Sequence, residues 1–262
     1  MSLVFSAITP HSPILLPSIG KENSERLEST QKSYKKLADD LKKSSAETVV
    51  IISPHGIVQS TSFTMNLNPQ FSCNFEEFGD FSTKSTWAGD VGLAYKIREK
   101  LETKAPLQLV SEGSLDYGCS VPLFLLTEGL PGIKIIPVYY SGLDLRAHFE
   151  FGKLFGHELV YNKEPIAIVA SGDLSHRLTK DAPGGYSPKG KKFDKKLIDA
   201  LKKNKPEDII NMDHKLIQEA GDCGLKSILM LLGVMDGIKH QPELLSYEAP
   251  FGVGYMVINF KL

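Results

Sequence analysis

The sequence predicts an α/β fold: a central, mostly parallel or mixed sheet with helices on both faces. The strand candidates are unbroken apolar runs rather than polar–apolar alternations, the pattern of strands buried on both sides. They alternate with longer segments of helical periodicity. The 262 residues, 42% of them hydrophobic, suffice for one large domain with a sizeable core. No Pro/Gly/Ser-rich linker divides them, so a single domain over 1–262 is expected.

LVFSAIT (3–9) is the first strand, and it stops at Pro10 with His11 next. SERLESTQKSYKKLADDLKK (24–43) sets Leu27, Tyr34, Leu37, Ala38 and Leu41 at helical spacing, with lysines and acids opposite. TVVIIS (48–53) is the second strand, and it too ends in Pro-His, at Pro54 and His55. Residues 61–85 are aromatic and polar without helical period; they read as an extra strand followed by a loop overhanging a site. A helix follows at 90–103, a strand at KIIPVYY (134–140), a helix at 143–161 and a strand at IAIVAS (166–171). Helical patterns return at 190–203 and 213–233. The segment 244–262 is β-rich on either side of the turn-prone 250–254, which predicts a closing hairpin or paired edge strands.

Composition excludes several functions. A formal net charge of -1 argues against a nucleic-acid footprint over the whole surface. The lysine runs at 189–196 and 202–205 read as a solvated helix face. No apolar stretch is long enough for a membrane span, and the first residues lack the basic region and cleavage site of a signal peptide. Three widely spaced cysteines, Cys73, Cys119 and Cys223, indicate a reducing cytoplasm rather than a disulfide framework.

Open α/β sheets bind ligands beyond the carboxyl ends of their strands. His11 and His55 sit there, and the run IAIVAS leads into a third polar cluster of Asp173, Ser175, His176 and Arg177. One histidine after a strand is usually a hydrogen-bonded structural residue. Three at equivalent positions point instead to a metal or to acid–base chemistry, because neutral imidazole serves both. The flanking prolines restrict the backbone beside His11 and His55. Two histidines need a carboxylate or thiolate to complete a metal site. The stretch 213–233 offers Glu219 and Cys223, four apart on one helical face, with Asp222 between them. Gly221 and Gly224 permit a close approach there or break the helix. The plain alternative is that Glu219 and Asp222 only dress a helix N-terminus. No HExxH or comparable zinc motif occurs.

Taken together, ITPHSPILLP, VIISPHG, SLDYGCSVPL, VASGDLSHRL, EAGDCGLKSILMLLG and SYEAPFGVGY cover nearly the whole chain. In that order they resemble the class III extradiol ring-cleaving dioxygenases, the LigB-like family that includes the Memo proteins. The pattern is similar to the dioxygenase-like half of proteins that accompany a radical-SAM enzyme and an AMMECR-type domain. The resemblance implies a non-haem Fe(II) on two histidines and a carboxylate, with zinc or another divalent metal able to occupy the purified protein. His11 and His55 match the two histidine ligands, and His176 matches the acid–base histidine. Glu219 is the expected third ligand; Cys223 is the alternative, as in the Memo branch.

Ring-cleaving relatives tend to read LDHG where this chain has Leu115-Asp116-Tyr117-Gly118, so Tyr117 replaces a second active-site histidine. A phenol donates a hydrogen bond but, with a pKa of about 10, shuttles protons poorly at neutral pH. The implied activity is opening of a catechol-type ring, with a small aromatic diol and O₂ as reactants and no nucleic acid or membrane as partner. A homo-oligomer and AMMECR-type or radical-SAM partner proteins are compatible with it. The alternative is a Memo-like metal-binding protein of a redox, interaction or modification pathway that cleaves no ring.

Overall fold

Strands apolar on both faces require a helical layer on each side, and the molecule supplies both. The computed structural model describes residues 2–262. In chain order the elements are β1 (Leu3–Thr9), α1 (Pro17–Gly20), α2 (Glu28–Ser44), β2 (Thr48–Ser53), β3 (Phe63–Asn66), β4 (Gln70–Phe75), β5 (Asp80–Gly89), α3 (Val91–Leu101), β6 (Leu107–Val110) and α4 (Tyr117–Thr127). They continue with β7 (Lys134–Tyr139), α5 (Leu145–Val160), β8 (Ile166–Ser171), α6 (Pro188–Lys202), α7 (Pro206–Ile210), α8 (His214–Ala220), α9 (Leu225–Val234), β9 (Gln241–Glu248) and β10 (Tyr255–Lys261).

The ten strands form one sheet, ordered β4-β5-β7-β2-β8-β1-β10-β9, with β3 and β6 branching from β7. Its centre is parallel: β7, β2, β8 and β1 run the same way. The last two strands pair antiparallel with each other, and β10 pairs antiparallel with β1, as the closing hairpin requires. Side chains along β2 alternate between two cores. Val50 and Ile52 face α3, α5 and α9, whereas Val49 and Ile51 face α2 and α4. Every residue of β2 and β8 is buried, which is why these strands read as continuous apolar runs.

The segment 213–233 is two helices rather than one. Gly221 adopts a left-handed conformation, φ 63°, and caps α8. Residues 221–224 then cross the sheet's carboxyl edge before α9 begins. There Gly172, just after β8, packs on Gly224 so closely that a Cβ at 172 would come within 2.2 Å of the Gly224 Cα. The absence of both side chains lets this crossing lie directly on the strand end. The stretch 61–85 contains β3, β4 and the start of β5, and the turn between β4 and β5 carries Phe78 over the same edge. Among the described residues no helix is long and apolar enough to cross a membrane.

Candidate metal centre

Strand order determines which residues meet. β1 and β2 flank β8, so their carboxyl ends stand two strand spacings apart, roughly 9–10 Å, and imidazoles leaning inward from both can touch above β8. His11 and His55 do so: their Nε2 atoms are 3.0 Å apart and the rings are nearly perpendicular. Cys223, in the crossing between α8 and α9, brings its Sγ to 3.4 Å from the His11 Nε2. One donor atom from each of the three residues lies within 4.8 Å of the others.

The His11 tautomer follows from its neighbours. Ser171, the last residue of β8, donates its hydroxyl to the Gly118 carbonyl at 2.5 Å. Its oxygen therefore accepts from the His11 Nδ1–H at 2.8 Å, which leaves the His11 Nε2 lone pair aimed at the cluster. Burial, with a smaller electrostatic contribution from the nearby His176, holds the His11 pKa down at about 3. Burial and the neighbouring His11 lower that of His55 to about 4. Both rings are neutral at physiological pH. Burial raises the Cys223 thiol well above its ordinary value, with the Asp173 carboxylate adding to the effect.

The donor set fits a transition metal. Two imidazole nitrogens this close share either a proton or a cation, and a sulfur beside them favours a cation. Around one ion with bonds of about 2.0–2.3 Å, donors stand about 3.0–3.7 Å apart, and the contacts of His11 with His55, 3.0 Å, and with Cys223, 3.4 Å, fall in that range. Two neutral imidazoles and one thiolate carry the same charge as two imidazoles and one carboxylate, and such a set suits iron, zinc or copper.

Surrounding groups orient this cluster. Asp173 accepts the His11 backbone N–H at 3.0 Å and lies 3.9 Å from its Nε2, and burial raises its carboxyl to about 6. Ser53 donates to Asp116, the N-cap of α4, and accepts the His55 backbone N–H. Tyr117, the first residue of α4, places its hydroxyl 2.9 Å from the His55 Nε2 and stacks on that ring. Burial raises its phenol further, so it remains a hydrogen-bond donor. Phe78 meets Tyr117 edge-on at 5.4 Å. His176 donates its Nδ1–H to the Gly221 carbonyl at 2.9 Å, and among the described residues its Nε2 has no partner.

The two expected third donors part company here. Glu219 lies in the last turn of α8 and outside the cluster, while Cys223 lies in it. They share no helical face, because the left-handed Gly221 turns the chain between them. The Glu219 carbonyl accepts from Arg177, whose guanidinium ties the His176 loop to α8. Ser171 and Phe78 escape sequence reasoning. The only signal for Ser171 is a hydroxyl ending a buried strand between two Pro-His strand ends; for Phe78 it is a place in the aromatic stretch 61–85 that reads as overhanging a site.

The family model "Catalytic LigB subunit of aromatic ring-opening dioxygenase" matches residues 6–258. Protein CA_C1420 of Clostridium acetobutylicum is 32% identical over 279 aligned positions covering 100% of this chain. The chain spans 58% of that relative's length. The crystal structure of the uncharacterized protein JW3007 from Escherichia coli K12 has the same fold, with TM-score 0.71 and 17% identity over 98% of this chain and 99% of that one. The chain belongs to the LigB family.

Proposed function

We propose that this LigB-family member is a metal-dependent oxygenase that opens a catechol-type diol with O₂, its metal held by His11, His55 and Cys223. The observation that carries the reading is the convergence of two neutral imidazoles and a thiol, with the His176 ring held through Nδ1 to Gly221, two residues before Cys223, and its Nε2 uncommitted. Fe(II) held by these residues would supply a Lewis acid for the diol and a route for electrons between it and O₂.

The remaining steps belong to the chain. His176 accepts a phenolic proton at Nε2 while the Gly221 carbonyl holds its Nδ1–H, and it returns that proton to an oxygen of the opening product. Tyr117 donates a hydrogen bond and keeps its own proton. Phe78 and Tyr117 form an aromatic wall suited to a flat ring. Both atoms of O₂ enter the product, so no external reductant is consumed.

Cys223 favours a second reading. Thiolate ligation shifts metal preference toward softer ions, as suits a Memo-like metal-binding protein in a redox or modification pathway. Anaerobic loading with Fe(II), then oxygen uptake with a panel of catechols, separates the two. Uptake matching loss of the diol, abolished in His176→Phe with metal retained, supports ring opening. Tight metal binding without uptake for any catechol supports the second reading.

A further inference from the structure

A pocket of about 490 Å³ lies between α6 and β9, outside the metal cluster. Its floor is apolar, built from Leu178, Ile198, Ala249 and the ring of Tyr247. On α6, Lys191, Lys195 and Ile198 fall four and three residues apart and so share one stripe, while Phe193, Leu197 and Leu201 face the core. Ile198 is half-buried, and Tyr247 is left 38% exposed, so apolar surface here lacks a partner.

The pocket is held open from beneath. The Tyr247 hydroxyl donates to the buried Asp194 at 2.6 Å, and Asp194 also accepts the Ser175 N–H at 2.9 Å. Such anchoring gives a preformed wall, and the volume falls within the ordinary range for small-ligand sites. Lys191 and Lys195 stand at its rim with Asp199, a net charge of +1. Among the described residues neither lysine has a carboxylate within 4.0 Å. Two long cations left unpaired over an apolar floor complement one kind of occupant.

The geometry points to a second binding site, for a small amphipathic monoanion such as an alkyl or aryl carboxylate. Its apolar body lies on Ile198 and Tyr247, and its charge meets Lys191 and Lys195. The lysine run of α6 then does more than solvate a helix face.

Titration with anilinonaphthalene sulfonate, whose fluorescence rises on transfer out of water, tests this, with decanoate as competitor. One saturable site displaced by decanoate is expected. Lys191→Glu with Lys195→Glu should weaken it at least about tenfold, the equivalent of one lost charge contact. Lys202→Glu with Lys205→Glu applies the same charge change outside the pocket and should leave the affinity within about twofold. All four lysines are exposed, so the variants should fold normally. Equal weakening in both variants would reduce the effect to a general positive field. Absence of a saturable site, indifference to Lys191 and Lys195, or binding only to vesicles of phosphatidylglycerol would each overturn the proposal.

Discussion

Ser171→Ala isolates the group that sets the His11 tautomer. The hydroxyl is fully buried and makes two contacts, accepting from the His11 Nδ1–H at 2.8 Å and donating to the Gly118 carbonyl at 2.5 Å. Removing it leaves a buried donor and a buried acceptor unpaired, each costing about 1–3 kcal/mol, so stability should fall by about 2 kcal/mol or more. The effect on metal affinity is separate. Without the serine oxygen His11 can place its proton on Nε2, where it blocks the lone pair needed for coordination. Loss of an orienting partner of this kind lowers affinity about 10–100-fold. Urea unfolding gives the first quantity, and anaerobic competition with a chromogenic chelator for zinc gives the second. Lower stability with affinity unchanged within about twofold would refute the argument and make Ser171 an ordinary core residue.

Cys223→Ser should lower zinc affinity at least about 100-fold, whereas Glu219→Gln should change it little; equilibrium competition reads both. Metal binding at pH 7 should release about one proton, from the Cys223 thiol raised by burial and not from the already neutral histidines. Calorimetry in buffers of different ionisation enthalpy measures this, and no release would point to a carboxylate donor. Gly172→Ala should displace the Cys223 crossing, destabilising the fold by about 1–3 kcal/mol and weakening metal binding, since its Cβ would meet the Gly224 Cα at 2.2 Å. His148 is buried, and burial holds its pKa at about 4 against an ordinary 6.5. The unfolded chain therefore takes up this proton first as pH falls, and the stability His148 contributes above pH 6.5 is lost on descending through about 4. The stability gap between wild type and His148→Gln should accordingly shrink between pH 7 and pH 4, and a constant gap would refute the assignment.

The sheet centre was legible because strands buried on both faces leave unbroken apolar runs, as TVVIIS and IAIVAS do. The Pro-His pairs were legible because proline marks the strand end at which the crevice opens. The helix α4 was not, since Pro122 lies inside it and its residues are apolar nearly all round, without an amphipathic period. The strands β3 to β5 read only as an extra strand and a loop, and the four-residue β6 carries no reading, because their pairings are set by distant partners. At the site, periodicity put Glu219 and Cys223 on one face. The left-handed turn at Gly221 decides otherwise, and glycine permits such a turn without announcing it.

The central claim is that one metal ion binds to His11, His55 and Cys223. X-ray absorption at the metal edge of the anaerobically loaded protein tests it most directly. One sulfur scatterer at about 2.3 Å beside two imidazoles is predicted, with the sulfur lost in Cys223→Ser and kept in Glu219→Gln. A shell of nitrogen and oxygen alone, unchanged by Cys223→Ser, would contradict it.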